Sequence, residues 1–295
     1  MDVRQMRYFL AVVDTGSVHR AAEQLFVAQP SVSQALRGLE RELSAELFHR
    51  TGRRLVLTAA GRALIGPARD LVRSLHVARE TVEAVDGLRG GRLLVSSMPS
   101  QAVSPLASLI RRFRDRYPEV EIGVSTAAKA GDVADAVRRG HAEVGVVAVP
   151  NEPLRDSGFR FELLEVQSYL LVARDPTELP PGDDPVRPSD LGELPLVIGQ
   201  PGTGMRRVAD AILSQTRCRI AVEIEHREAL LPLVLAGVGI AVVADSWRPL
   251  AHSAGLTVRS LDTDESLHVG LLTTDSRPGP ATAALLDVGR EWARS

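Results

Sequence analysis

Gln29, Pro30, Ser31, Ser33, Gln34 and Arg37 crowd into one short N-terminal stretch of this chain. Their types suit the reading of a base edge. A glutamine can bridge N6 and N7 of adenine, an arginine can fork onto O6 and N7 of guanine, and a serine can serve either base or phosphate. Pro30, Gln34, Arg37 and Arg41 recur at spacings of four, three and four, which places them along one face of a helix. Arg50, Arg53 and Arg54 follow soon after and suit phosphate or minor-groove contact. Catalytic groupings are missing. The histidines (His19, His49, His76, His141, His226, His252 and His268) have no metal-ligand spacing, and Cys218 is the single cysteine. No GxSxG elbow, P-loop or Cys/His pairing is found. The chemistry on offer is therefore recognition rather than turnover, with no metal and no cofactor expected. The competing reading of Gln34 and Arg37 is a plain solvated helix face.

The elements around these residues favour recognition. Met6, Phe9, Leu10 and Val13 predict a first helix that stops at Thr15-Gly16. Ser17 suits the N-cap of a second helix, whose Ala21, Ala22 and Leu25 face inward. Gln29-Pro30 opens a third helix, because proline is preorganised for a first helical turn. Val32, Leu36, Leu39 and Leu43 form its apolar face, opposite the polar one. Second helix, short turn and third helix come in the order of a helix-turn-helix. LFHRTGRRLVLT then reads as two short strands around a Gly-Arg-Arg turn, a basic wing.

The run RYFLAVVDTGSVHRAAEQLFVAQPSVSQALRGLERELSAELFHRTGRRLVLTAAG resembles the N-terminal signature of LysR-type transcriptional regulators. The shared features are the phenylalanine-bearing first helix, the xAAxxL second helix, QPSVSQ at the recognition helix, LExxLxxxLFxR into the wing and LTxAG into a long helix. Val18-His19 departs from the usual Phe-Thr or Phe-Ser. The resemblance implies double-stranded DNA as partner, RNA polymerase as a further one, and a dimerising linker.

From Thr58, a suitable N-cap, a helix is predicted from about Ala59 to about Gly87. Leu64, Ala68, Leu71, Leu75, Ala78, Val82 and Val85 recur at spacings of four and three, a heptad seam. Such a helix is roughly 40 Å long at about 1.5 Å per residue. A core-facing helix can read the same way. A stripe on a helix that joins two domains needs a partner, however, and an identical helix is the simplest one. Self-association as dimer or tetramer is expected. Pro67 removes one backbone donor, so a bend is expected near residues 63–67, and LRGG at residues 88–91 reads as a hinge.

Beyond Gly91, strands and helices alternate, the pattern of an open α/β sheet. LLVSS, VEIGVS and AEVGVVAV predict strands of one unit; LPLVIG, RIAVEIE and IAVVA those of another. FELLEVQSYLLVARD reads as extended between them, and residues 267–295 can return to the first unit. REALLPLVLAGVGIAVVADS and the element order resemble the effector-binding domain of LysR-type regulators. That domain is itself similar to type 2 periplasmic binding proteins. Asp245 and Glu143 stand where the family often has proline and aspartate. The fold class is thus α/β: an all-α winged helix-turn-helix (residues 1–58), a linker helix and hinge (59–90), and a two-lobed effector domain (91–295). Lobe I spans about residues 91–162 and 267–295, and lobe II about 163–266.

Ligands of open α/β sheets bind outside the carboxyl ends of the strands. This rule selects Ser97 and Ser100 after the first strand, Thr126 after the second, and Gly202 and Thr203 in the other lobe. Amides at the helix start after Thr203 can hold an anion. The resemblance implies that Ser100 and Thr203 contact an effector across the cleft. Ser100, Thr126 and Thr203 also read as helix caps and turn residues. His226 either faces the cleft or lies on the surface, and Arg206 either helps an acidic ligand or faces outward. The effector is a small molecule whose identity the sequence does not name.

Composition bounds the rest. The chain has 295 residues, 44% hydrophobic and 24% charged, with a formal net charge of −2, so nucleic-acid binding must come from a local patch. Residues 1–60 hold eight arginines against six acidic residues, a net of +2 that dimerisation would double. No signal-peptide pattern or long apolar run occurs, which reads as a cytoplasmic protein without membrane contact. A solute-binding protein of a transporter shares the two-lobed plan but has no use for a helix-turn-helix. An enzyme on the same scaffold lacks any supporting motif.

Overall fold

A computed structural model describes residues 1–51, 54–84, 88, 90–150 and 158–294. Arg53 and Val85 of the predicted sets lie outside the described residues, as do the side chains of Arg50 and Arg54. The chain divides into two compact units, Met1–Val85 and Asp86–Ser295.

In the first unit, α1 (Val3–Thr15) is closed at its start by a capping box between Asp2 and Gln5 and at its end by left-handed Gly16. Ser17 caps α2 (Val18–Gln24) by accepting from the Arg20 amide. α3 (Gln29–Leu43) begins with Pro30 in its first turn. β1 (Phe48–Thr51) and β2 (Arg54–Leu57) pair antiparallel as the wing. Thr58 caps α4 (Ala59–Glu83) by accepting from the Gly61 amide. The core collects Met6, Phe9, Val12, Ala21, Ala22, Val32, Leu36, Leu39, Leu47 and Ala68. Alanines at 21 and 22 leave room for the close helix packing expected of a helix-turn-helix. Arg69 on α4 pairs with Asp14 on α1 at 3.0 Å.

The second unit holds two five-stranded mixed sheets. The first contains β3 (Arg92–Ser97), β4 (Glu121–Thr126), β5 (Val144–Pro150), β6 (Phe159–Gln167) and β12 (Leu267–Thr274) in the order β4-β3-β5-β12-β6. The second contains β7 (Tyr169–Ala173), β8 (Pro195–Gly199), β9 (Arg219–Ile224), β10 (Ile240–Ala244) and β11 (Thr257–Ser260) in the order β11-β7-β10-β8-β9. In both, four strands share one direction and a single strand, β12 in the first sheet and β7 in the second, runs against them. The helices are α5 (Pro99–Gln101), α6 (Ala107–Arg116), α7 (Ala130–Arg138), α8 (Gly204–Gln215), α9 (Leu230–Leu235), α10 (Arg248–Ser253) and α11 (Pro280–Trp292).

The segment read from sequence as one extended piece is split at Ser168. β6 belongs to the first sheet and β7 to the second. Burial shows the difference. β7 is buried along its whole length, whereas β6, at the edge of its sheet, is only partly buried. Residues 261–266, between β11 and β12, make the return crossing. The short α10 and β11 were not expected from the sequence. α4 runs to Glu83, and its predicted end at Gly87 lies outside the described residues. Cys218 is buried in the second unit. Among the described residues, no helix is long and apolar enough to cross a membrane.

Candidate functional site

Two surfaces matter, one in each unit. On α3, Val32, Leu36 and Leu39 are buried while Gln29, Pro30, Ser31, Gln34 and Arg37 are exposed and Ser33 is half-buried. Leu43 lies at the margin of the apolar stripe and is exposed. Gln29, Pro30, Ser33, Gln34, Arg37 and Arg41 line one open groove of about 1140 Å³. The N-cap position of α3 is Ala28, which makes no side-chain cap, so the first amides of this helix have no side-chain acceptor there. The β1–β2 hairpin carries the backbone of Arg50 and Arg54.

A residue that sequence reasoning passed over joins the wing to α3. The carboxylate of Glu40 accepts from the amides of Leu47 at 2.9 Å and Phe48 at 3.4 Å. It therefore holds the start of the wing against the helix that carries the polar face. Its place in the stripe of Leu36 and Leu39 was the available signal, since a charge there must find a partner.

The seam on α4 divides in two. Ala68 is buried in the core of its own unit, and Leu64 packs against the same core. Ala68 is thus closed to a second chain. Farther along, Leu71 is 41% exposed, Leu75 is half-buried, Ala78 is exposed and Val82 is 73% exposed.

In the second unit, Ser97 and Ser100 are both buried. The Ser97 hydroxyl donates to the Met98 carbonyl at 3.0 Å. Thr203 is buried and caps α8. Its hydroxyl oxygen accepts from the Arg206 amide at 3.2 Å, and the hydroxyl donates to the Gln200 carbonyl at 3.3 Å. Gly202 has φ +85°, and a Cβ there would lie 3.4 Å from Lys129, a side chain of the other lobe. Thr126 and His226 are exposed. Arg206 is spent on structure, paired with Asp210 at 2.7 Å and Glu223 at 2.9 Å and donating to the Gly199 carbonyl. Asp245 pairs with Arg248 at 2.8 Å, and Glu143 accepts from the Leu94 amide at 3.0 Å.

The partner of Ser100 is Arg227, which the sequence reading did not single out. Its Nη1 donates to the Ser100 hydroxyl at 2.7 Å, joining the segment after β3 to the one after β9. Arg227 is only 6% exposed, and burial pushes its guanidinium below the ordinary arginine range. Arg227 precedes Leu230, Leu231 and Val234 by three, four and seven residues, all of them buried. That period puts a charge on a buried face, which was the signal available.

Comparisons with known proteins agree with this architecture. Residues 3–62 match the family model described as bacterial regulatory helix-turn-helix protein, lysR family, and residues 86–294 match the LysR substrate binding domain. The regulator IlvR of Caulobacter vibrioides is 30% identical over 291 residues, 97% of this chain and 96% of that protein. The regulator TdfR of Cupriavidus pinatubonensis is 30% identical over 305 residues, 98% of each. Among solved structures, a full-length OxyR variant of Pseudomonas aeruginosa aligns with a TM-score of 0.72 at 18% identity, over 100% of this chain and 95% of that one. CbnR in complex with its target DNA aligns at 0.57 and 22% identity, over 99% and 100%. An exposed polar helix face beside a wing, ahead of a two-lobed α/β unit, in a chain matched almost end to end, places this protein in the LysR family: it is a DNA-binding transcriptional regulator with a LysR substrate binding domain, not an enzyme.

Proposed function

We propose that α3 reads base edges in the major groove through Gln29, Pro30, Ser31, Ser33, Gln34 and Arg37. Arg50, Arg53 and Arg54 of the wing hold phosphates or the minor groove. The observation that carries this reading is the sorting of α3 into a buried apolar face and an exposed polar one. Residues 1–58 form the reader, 59–90 the linker and 91–295 the sensor. Two chains pair through α4, with Leu71, Leu75, Ala78 and Val82 meeting their counterparts, and a tetramer forms by pairing dimers. Open apolar side chains on one helix support that pairing. The protein works in the cytoplasm, where its DNA is, and its output reaches RNA polymerase.

A small effector sits between the lobes and favours one lobe arrangement over another, which alters the spacing of the two readers. Ser97, Ser100, Thr126, Gly202, Thr203 and His226 border that site, and the buried Ser100–Arg227 bond supports it. The test is selection of DNA from a random pool by the full chain, followed by footprinting. Arg37→Ala should cost roughly 1–3 kcal/mol at the selected site and relax base preference at one position. Unchanged affinity and preference would remove Arg37 from the reading face.

A further inference from the structure

α4 carries a weak step in its middle. Gly66 and Pro67 are adjacent, and these are the two poorest helix formers. Pro67 has no amide to give the Ala63 carbonyl, so the helical ladder lacks a rung there. Both residues are exposed, and nothing lies within 4 Å of the place a Cβ on Gly66 would take. A helix that joins a reader to its twin would bend here first. Yet the helix runs unbroken from Ala59 to Glu83.

The opposite face shows what holds it. Ala68 lies in the core of the first unit, and Leu64, Ile65 and Val72 pack against that core, so both flanks of the step are covered. The start of the helix is fixed as well. The Thr58 hydroxyl donates to the Glu46 carbonyl at 2.6 Å, and the Thr58 amide donates to the Leu47 carbonyl at 3.0 Å. Past the step, Nη2 of Arg69 donates to Oδ1 of Asp14, in the last turn of α1, at 3.0 Å. Thr58 and Arg69 are roughly 16 Å apart at about 1.5 Å per residue, so two polar anchors straddle the step.

The second anchor suits direction better than strength. Its side chains, Arg69 and Asp14, are 16% and 19% exposed. Nε of Arg69 is buried and has no acceptor, so the guanidinium loses water that the contact does not replace. An apolar side chain would fill the same space without that cost, whereas a charged pair adds a fixed angle.

Resting on the pairing of two chains through α4, we propose that Arg69 is a positioning residue for DNA recognition. Held by Asp14, it clamps α4 across the Gly66–Pro67 step, so that the reader and the linker as far as Val72 turn as one body. Leverage makes the clamp matter. Pro67 and Val82 are 15 residues apart, about 22 Å along the axis. A kink of about 20°, the size a proline causes, would displace the far end by about 7–8 Å. That is roughly two base pairs at about 3.4 Å each, enough to take one recognition helix out of register with its half-site while the other stays bound.

The test uses the full chain and three duplexes: the site selected from a random pool, the same site with a short insertion of about two base pairs between its halves, and one half alone. Wild type should bind the first at least about tenfold tighter than the second. Arg69→Met should cut that preference to less than about threefold while binding the single half within about twofold of wild type. Asp14→Asn removes the charge at the other end of the pair and should act alike, even if Arg69→Met fails to fold. Arg69→Lys keeps the cation and should keep most of the preference. Adding Pro67→Ala to Arg69→Met repairs the helical ladder and should restore it. A preference unchanged in both Arg69→Met and Asp14→Asn, an equal loss of affinity for the single half, no recovery with Pro67→Ala, or no preference in a paired wild type would overturn the proposal. A wild type that sediments as a monomer would bring down the pairing through α4, and this proposal with it. A paired wild type whose spacing preference ignores Arg69 brings down this proposal alone.

Discussion

Replacing Glu40 by alanine tests how the wing is held. The Leu47 amide loses its only acceptor given by the structure, a carboxylate oxygen at 2.9 Å, and Leu47 is 1% exposed, so water is a poor substitute. Leaving a buried donor unmade costs about 1–3 kcal/mol, and charged acceptors sit at the upper end. The Phe48 amide, at 3.4 Å, adds less. A loss of about 2–3 kcal/mol follows. For a unit of this size each kcal/mol moves the melting point by about 4–8 °C, so its transition should fall by roughly 8–24 °C. Glu40→Gln keeps a neutral acceptor at the same place and should lose less than about 1 kcal/mol. The assay is hydrogen–deuterium exchange of the full chain, read on peptides covering residues 46–57, alongside denaturant unfolding. Glu40→Ala should speed exchange there. A loosened wing should also hold fewer phosphates, lowering the salt dependence of DNA binding by about one slope unit for each phosphate released. Wild-type exchange in Glu40→Ala, or equal destabilisation of the alanine and glutamine variants, would refute this account of the wing.

Three further outcomes are expected. Gly61→Ala should destabilise the first unit by about 1–3 kcal/mol, although alanine is the better helix former. Its Cβ would lie 2.2 Å from the Leu47 carbonyl oxygen, a backbone atom with little room to yield, and a midpoint at or above wild type would contradict this. Burial pushes the Tyr169 phenol up to about 12. The folded state resists its ionisation, so this group's stabilisation is full below the ordinary tyrosine value and is lost as pH rises toward 12. The matching late step in ultraviolet absorbance should vanish in Tyr169→Phe, and its survival would assign it elsewhere. On α4, the exposed Leu71 and Val82 can be changed to glutamate with little effect on the fold. The double variant should sediment as a monomer at concentrations where the wild type pairs; an unchanged mass would remove this stripe from the interface.

The two α/β units and the winged reader were legible in the residues because local signals mark them. A serine or threonine before a helix, a left-handed glycine after one, and the period of buried side chains all act within a few positions. The split at Ser168 was less legible, because strand pairing is decided by partners far away in the chain. β6 takes β12 and β7 takes β10 and β11, and nothing within residues 159–173 encodes that choice. The seam on α4 shows the same limit. Its spacing marks an apolar stripe but not which part the chain itself covers, and packing reserves Ala68 for its own core.

By itself, then, the sequence determined the reader: which helix turns its polar face outward, where the wing follows, and that an α/β body stands behind it. Only tertiary structure decided how the segments of that body meet. Ser100 was visible as the residue after a strand. Its pairing with Arg227, 127 positions later, follows from two sheets placing their strand ends together. Burial then strips water from the guanidinium and from the Trp247 indole, turning an ordinary arginine and tryptophan into donors that lack acceptors. A residue's type is written in the chain, but its solvation and its partners exist only once distant segments have met.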